Sequence, residues 1–97
     1  MYFYVYMILT KINGRYVSYV GYTKNLKNRL NLHNISRGAK YTRGKKWIVF
    51  HKEIYNSKSK AMSREYELKK DRKFRSVLRE RFKSIGKNNI FYKNTLQ

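Results

Sequence analysis

The dipeptide Asn13-Gly14 constrains the fold more than any other feature of the chain. Both residue types accept the positive φ angles of a type I′ turn, the tight turn whose twist matches that of two paired strands. Residues 2–10 before it and 15–22 after it are rich in tyrosine, valine and isoleucine, which favour strands. The pattern predicts an antiparallel hairpin.

A two-residue turn also determines which residues face each other across this hairpin. Tyr6 is predicted to face Gly21, and the alternation of side chains places Tyr19 on the same face as a diagonal neighbour of Tyr6. Gly21 leaves space beside the Tyr6 ring. Two phenols next to a gap are typical of a binding or catalytic site, although aromatic pairs that cover a hydrophobic core give the same pattern.

The segment after the hairpin has the spacing of an amphipathic helix. Thr23 is predicted to cap a helix over residues 24–34, because a threonine hydroxyl can accept from the first free amides. Leu26 and Leu30 form its buried stripe. Arg29 and His33 are four residues apart, so they are expected together at the border of that stripe.

The second half of the chain predicts one strand and two helices. The strand covers residues 47–55, with Ile48, Phe50 and Ile54 as its apolar residues. A helix over Lys58–Lys70 follows, and a final helix covers residues 73–85 with apolar residues at helical spacing. From Gly86 onward the chain is polar and is predicted to form a loose tail.

Charge indicates the class of partner. The chain has 24 lysines and arginines but five acidic residues, a formal net charge of +19 over 97 residues, which implies a polyanionic partner and most often nucleic acid. A basic module that binds DNA or RNA without cutting it has the same composition. An acidic membrane surface is a further alternative, since the basic face of the final helix could bind one.

The loop of residues 35–46 concentrates this charge and carries two glycines. Basic side chains and backbone amides in such a loop can bind phosphates. The residues expected to hold a nucleic-acid backbone are Lys40, Arg43, Lys45 and Lys46. A solvated loop without a ligand is the ordinary alternative.

Several classes of protein are excluded by what the chain lacks. There is no cysteine, hence no disulfide or thiolate-bound zinc, and two histidines with few carboxylates disfavour a zinc cage built from protein ligands. No apolar run is long enough to span a bilayer or resembles a signal peptide. The chain is therefore predicted to be soluble and intracellular, without a small-molecule cofactor, and its oligomeric state is left open.

Glu65 is the carboxylate that most requires an explanation. On a helix over Lys58–Lys70 its neighbours at spacings of three and four are Ala61, Met62 and Leu68, so it lies in an apolar stripe. A carboxylate there is unfavourable unless it is paired or bound to a metal. A salt bridge to a nearby lysine or arginine is one explanation, and a metal site is the other.

Five short motifs occur in order along the chain: Tyr4-Val5-Tyr6, Tyr19-Val20-Gly21, residues 22–30 with Arg29, the loop 38–44, and residues 61–65 with Glu65. By these motifs the chain resembles the GIY-YIG nuclease superfamily, and in particular its small stand-alone, single-domain members. His33 stands where many members have a histidine. Tyr4 replaces the first glycine of the family motif, which leaves open whether activity is lowered.

The resemblance implies an α+β fold, a three-stranded antiparallel sheet flanked by helices in the order ββαβαα. It covers about residues 2–72. The expected organisation is a single nuclease-like domain over residues 1–85 followed by the polar tail, residues 86–97.

The resemblance also implies a chemistry, hydrolysis of phosphodiester bonds in DNA, with RNA as an alternative substrate. Glu65 would hold one Mg²⁺, or Mn²⁺ in its place, and Tyr6 would be the general base. Tyr19 would position water or phosphate, and Arg29 would neutralise charge that develops in the transition state. His33 would contact phosphate or relay a proton. Substrate structure and the biological process, whether repair, recombination, mobility or restriction, are left open.

Overall fold

A computed structural model of the chain describes residues 1–86. Its elements are strands β1 (Phe3–Ile12) and β2 (Arg15–Thr23), helix α1 (Leu26–Asn34), a 3₁₀ turn (Lys40–Thr42), strand β3 (Ile48–Tyr55), and helices α2 (Lys58–Lys70) and α3 (Arg72–Gly86). The strands form one antiparallel sheet in the order β2-β1-β3. The predicted α+β fold and its ββαβαα order are confirmed, while the predicted tail beyond Gly86 lies outside the described residues.

The hairpin has the predicted turn and register. Asn13 and Gly14 have φ angles of 50° and 80°, and Tyr6 pairs with Gly21 as expected. The ladder runs to Ile12 on β1, two residues beyond the predicted end of that strand. Because the turn determines the register of β1 and β2, it also determines which face of the sheet each side chain of β2 occupies.

The central strand β1 contributes alternate side chains to two separate cores. On one face its odd-numbered residues pack against α2 and α3, in a cluster of Phe3, Val5, Met7, Leu9, Val20, Ala61, Leu68, Leu78 and Phe82. On the other face its even-numbered residues pack against α1 and the segment before β3, in a cluster of Tyr6, Ile8, Leu30, Trp47 and Val49. The sheet therefore separates two cores, and we call the face towards α1, which carries Tyr6 and Tyr19, the tyrosine-bearing face.

Thr23 does not cap α1. The capping residue is Asn25, whose Oδ1 accepts from the Asn28 amide at 3.0 Å. Thr23 Oγ1 instead accepts from the Asn25 amide at 3.2 Å, because β2 extends through Thr23 and delays the start of the helix.

Three apolar side chains of β3, α2 and α3 are exposed, although each lies among the apolar residues of its element. Ile54 is 55% exposed, and it lies on β3, an edge strand of the sheet. Met62 and Val77 are also exposed, since each helix buries a narrow stripe against the sheet. Among residues 1–86, no helix is long and apolar enough to cross a membrane.

Glu53 joins β3 to α2 through a compact polar network. Its two carboxylate oxygens accept from Nε and Nη2 of Arg64 at 2.8 and 3.1 Å. His51 Nε2 and Tyr55 Oη donate to the same carboxylate at 2.7 and 2.6 Å. Burial acts to raise the pKa of Glu53, but the hydrogen bonds from these three residues outweigh it and lower the pKa to about 2. This network was not predicted from the sequence.

Replacement of Glu53 by Gln should destabilise the fold. The charge-assisted hydrogen bonds from Arg64 would be lost, which should lower the unfolding free energy at pH 7 by roughly 1–3 kcal/mol. The folded pKa lies below the ordinary 4.5, so the carboxylate stabilises the fold above that pH. This contribution is lost as the pH falls from 4.5 towards 2. Urea denaturation followed by circular dichroism at pH 7, 4 and 3 measures both effects.

The matched control is Glu67→Gln, because Glu67 lies exposed on the same helix as Arg64. It should change the unfolding free energy little at any of these pH values. Equal stability of the Glu53→Gln and Glu67→Gln proteins at pH 7 would contradict a structural role for the network.

Candidate active site

A buried hydrogen bond between a tyrosine and a histidine lies at the centre of the tyrosine-bearing face. Tyr6 comes from the middle of β1 and His33 from the last turn of α1, and their exposed fractions are 1% and 0%. Tyr6 Oη and His33 Nε2 are 2.8 Å apart. The prediction that His33 lies at the border of the buried stripe of α1 is therefore wrong, because the loop after α1 folds over its ring.

Two glycines make room for this pair. A Cβ atom on Gly21 would lie 2.5 Å from Tyr6 Oη, so the gap predicted opposite Tyr6 exists but is filled by the Tyr6 phenol itself. A Cβ atom on Gly38 would overlap the His33 ring at Nδ1. At both positions glycine is required by the close approach of a buried ring to the backbone.

Thr42 and Trp47 complete the buried network, and neither was predicted from the sequence as part of a site. Thr42 is fully buried, and its Oγ1 lies 2.8 Å from His33 Nδ1. The buried indole of Trp47 donates from Nε1 to the Thr42 carbonyl at 3.0 Å. The one signal in the sequence is a tryptophan directly after a basic loop, because such a large apolar residue requires a core to bury it.

Tyr19 and Arg29 surround the Tyr6–His33 pair. The Tyr19 ring packs edge-to-face on His33 with centroids 5.2 Å apart, and it stacks on Tyr41 at 6.0 Å. Arg29 Nε is buried without a hydrogen-bond partner in the described part of the chain. Such an unsatisfied cation donor is costly, which is typical of a group that is completed by a ligand.

The pKa values of the central pair are shifted apart. Burial outweighs a hydrogen bond from Arg29 and the positive charge of that residue, and the pKa of Tyr6 is raised to about 12. Burial, together with the smaller effect of the positive charge of Arg29, lowers the pKa of His33 to about 4. At neutral pH Tyr6 is therefore a protonated phenol and His33 a neutral imidazole.

Glu65 lies near this group on α2. Its negative charge is among the influences that raise the pKa of Tyr6, so its carboxylate lies within electrostatic range of the phenol. Lys69 Nζ is 3.6 Å from Glu65 Oε2 and 6.0 Å from the Tyr19 ring centroid. The salt bridge expected as one explanation of Glu65 is present, but an exposed pair of this length contributes little stability.

The structure thus brings Tyr6, Tyr19, Arg29 and His33 into one group with Glu65 within electrostatic range. The four basic residues expected to bind nucleic acid lie in the adjoining loop. Lys40 and Arg43 are exposed. Lys45 Nζ donates to the Tyr41 and Arg43 carbonyls, and Lys46 Nζ donates to the Asn34 carbonyl, so these two lysines also hold the loop together.

A model of the GIY-YIG catalytic domain family matches residues 2–77 of the chain. The chain belongs to the GIY-YIG family. The resemblance inferred from the five motifs is confirmed. Because the matching model describes a catalytic domain of nucleases, membership implies nuclease activity at that general level and nucleic acid as the class of substrate.

Relatives of this GIY-YIG domain are small proteins of similar size. The UPF0213 protein of Staphylococcus haemolyticus is 45% identical over 67 residues, which cover 68% of this chain and 78% of that protein. The UPF0213 protein of Clostridium perfringens is 43% identical over 70 residues, or 69% and 70% of the two chains. A solution NMR structure of the UPF0213 protein of Bacillus halodurans is 36% identical and covers 82% and 84% of the two chains, with a TM-score of 0.43.

The donor atoms in this GIY-YIG domain fit a hard divalent cation better than zinc. Residues 1–86 contain no group of three or more histidine, cysteine, aspartate or glutamate side chains close enough to hold a metal. Mg²⁺ is commonly bound by one or two carboxylates, with water and substrate phosphate oxygens completing its shell. Glu65 fits that role because its carboxylate is partly exposed.

The low pKa of His33 gives a prediction that can be measured directly. The His33 imidazole should titrate near pH 4 instead of near the ordinary 6.5. The unfolded chain binds more protons between these values, so the unfolding free energy should fall as the pH is lowered from 6.5 to 4. An NMR titration of the imidazole resonances measures the pKa.

The chain has two histidines, so a His51→Gln protein assigns the His33 signal. A midpoint near 6.5 for that signal would show that the imidazole is not buried next to Arg29.

Proposed function

We propose that this domain is a metal-dependent endonuclease that hydrolyses phosphodiester bonds of DNA. The observation that carries the proposal is the buried hydrogen bond between Tyr6 and a neutral His33, with Arg29 beside it and Glu65 within electrostatic range. A phenol paired with an unprotonated base can activate water, and a cation and a metal-binding carboxylate can stabilise the charge that develops on the phosphate.

Tyr6 is the proposed general base, assisted by His33. With a pKa of about 12 the phenol keeps its proton at neutral pH, so it needs a group to receive that proton when it takes one from water. His33 Nε2 lies 2.8 Å from Tyr6 Oη, and the His33 imidazole is neutral at this pH. Two roles were expected for His33, a phosphate contact and a proton relay. Its hydrogen bond to Tyr6 and its full burial favour the proton relay.

In the proposed reaction a water proton passes to Tyr6 Oη as the Tyr6 proton passes to His33 Nε2. The hydroxide oxygen bonds to phosphorus, and the bond from phosphorus to the 3′ oxygen breaks. The 3′ oxygen then takes a proton from solvent. Charge therefore develops on the phosphate oxygens and on the leaving group, and a cation close to them lowers the barrier.

Arg29 is proposed to neutralise the charge on the phosphate. Its buried Nε is without a partner among the described residues, so a phosphate oxygen would satisfy it. Tyr19 is proposed to position water or phosphate through its hydroxyl, since its ring is held between His33 and Tyr41.

Glu65 is proposed to hold the divalent cation, Mg²⁺ or alternatively Mn²⁺. Such an ion supplies Lewis-acid stabilisation of the phosphate and of the leaving oxygen. Binding would require Lys69 to turn away from Glu65, which its half-exposed side chain permits. Lys40, Arg43, Lys45 and Lys46 are proposed to hold the DNA backbone beside the site.

The decisive experiment compares wild type with Glu65→Gln. The variant should lose at least about 100-fold in the rate of Mg²⁺-dependent cutting, because the amide removes the negative ligand. Cleavage is measured on a panel of labelled plasmid, single-stranded, flap and branched DNA with Mg²⁺, Mn²⁺ or EDTA. RNA is included as an alternative substrate.

Glu67→Gln on the exposed side of the same helix is the matched control and should cut at the wild-type rate. Normal cutting by a folded Glu65→Gln protein would overturn the role of Glu65. Binding of DNA without cutting in any of these metals would instead support the alternative, a basic nucleic-acid-binding module without activity.

A further inference from the structure

The hydroxyl of Thr42 restricts where the proton of His33 can lie. A threonine hydroxyl has one proton and two lone pairs. Thr42 Oγ1 donates that proton to the Ala39 carbonyl at 2.9 Å and accepts from the Ala39 amide at 3.2 Å. The contact with His33 Nδ1 at 2.8 Å must therefore use the remaining lone pair of Thr42.

It follows that His33 Nδ1 carries the proton. A neutral imidazole has one N–H, so Nε2 is left with a lone pair that faces Tyr6 Oη. Tyr6 then donates to His33, which is the direction that a relay away from Tyr6 requires. In the opposite tautomer Nε2–H would donate to Tyr6, and Tyr6 could not pass its proton to His33.

The elements around Thr42 hold it in this position. Gly38 allows the loop to close on the His33 ring, and the Trp47 indole binds the Thr42 carbonyl. The titratable and charged groups around His33 are Tyr6, Tyr19 and Arg29. None of them contacts Nδ1 among the hydrogen bonds of the described residues, so Thr42 is the partner that selects the tautomer.

We propose that Thr42 is a positioning residue that keeps His33 in the Nδ1–H tautomer, so that Nε2 is free to receive the proton of Tyr6. The kinetic consequence rests on the proposed nuclease function, but the tautomer itself does not. The 3₁₀ turn that contains Thr42 thereby acquires a role in proton transfer, in addition to the phosphate binding proposed for its basic neighbours.

Nitrogen-15 NMR of histidine-labelled protein at pH 7 tests the tautomer, because protonated and unprotonated ring nitrogens differ widely in chemical shift. Wild type and Thr42→Ser should show His33 with Nδ1 protonated, since serine keeps the hydroxyl. Thr42→Val, which keeps the shape and loses the acceptor, should shift His33 to a mixture of tautomers or to Nε2–H. An Nε2–H imidazole in wild type would overturn the proposal.

Cleavage rates supply the second measurement. Thr42→Val should lose about 10–100-fold, as is typical when a residue that orients a functional histidine is removed. Thr42→Ser should stay within about threefold of wild type. If wild type shows no cleavage, the proposed function fails, but the nitrogen-15 spectra still decide which tautomer His33 adopts. If Thr42→Val unfolds, the spectra of wild type and Thr42→Ser decide the tautomer.

A second inference comes from a separate hollow at the open edge of β2. This hollow has a volume of about 470 Å³, and its lining includes Arg15 from β2 and Arg75 and Arg79 from α3. No carboxylate is among its lining residues. Three arginines around one hollow without an acid repel each other unless an anion occupies it.

Arg75 and Arg79 are held at this edge by the protein. Arg75 Nη2 donates to the Lys69 carbonyl at 2.8 Å, and Arg79 Nη1 donates to Ser18 Oγ at 3.2 Å. Arg75 Nε is buried and lacks a hydrogen-bond partner within residues 1–86. Both guanidinium groups are therefore anchored, and the unused Nε donor of Arg75 suits phosphate recognition.

The hollow adjoins the candidate active site through Tyr41. Tyr41 lines the hollow and also stacks on Tyr19. The backbone of a nucleic-acid strand that extends from the active site past Tyr41 would therefore reach the hollow. We infer that this arginine hollow, defined by Arg15, Arg75 and Arg79, binds backbone phosphates of the nucleic-acid strand that is being cut. This inference rests on the proposed function for its substrate.

The test measures binding in EDTA, where the proposed reaction cannot proceed. The double variant Arg15→Gln/Arg79→Gln should bind a labelled single-stranded or duplex oligonucleotide about tenfold more weakly at 0.1 M salt. It should also reduce the slope of log Kd against log salt by about 1.4–1.8, since each of the two lost phosphate contacts removes about 0.7–0.9. Fluorescence anisotropy at several salt concentrations gives both values.

The control, Lys58→Gln/Lys60→Gln, removes the same charge from exposed positions at the start of α2. Equal weakening by both pairs would assign the effect to overall charge and would overturn the inference. Because binding is measured without cutting, this outcome is independent of whether the protein proves to be a nuclease.

Discussion

The hydrogen bond between Tyr6 and His33 is the interaction on which the tyrosine-bearing face depends. Burial of a phenol and an imidazole is unfavourable unless their polar atoms form hydrogen bonds. Tyr6 Oη and His33 Nε2 form such a bond with each other at 2.8 Å. The pair also links the central strand to α1. The glycines at 21 and 38 exist at these positions because a side chain there would push the rings apart.

The network continues from His33 into the loop after α1. Thr42 Oγ1 forms a hydrogen bond with the second imidazole nitrogen, Nδ1. The Trp47 indole donates to the Thr42 carbonyl and also fills the core between α1 and β3. The loop is therefore a structural part of the site as well as a basic surface. Its exposed cations and its buried threonine serve different purposes within a few residues of each other.

Two of the few carboxylates of the chain, Glu53 and Glu65, differ in how many donors surround them. Glu53 lies on the face covered by α2 and is saturated by donors from Arg64, His51 and Tyr55, so it stabilises the fold and is unavailable to a ligand. Within residues 1–86, Glu65 has one weak ionic partner, Lys69. In a chain with such an excess of positive charge, a carboxylate that keeps free oxygen atoms is the natural place for a cation to bind.

What the sequence determined by itself was local. The Asn13-Gly14 turn accepts positive φ angles, so it set the register of the hairpin and the pairing of Tyr6 with Gly21. The helix over Lys58–Lys70 followed from the spacing of its apolar residues. The cap at Asn25 was missed because β2 extended further than its composition indicated. The burial of His33, its contact with Thr42 and the network around Glu53 were decided only by the tertiary structure. These contacts join residues 9 to 27 positions apart or link different elements, and no spacing along one helix or strand encodes such a distance.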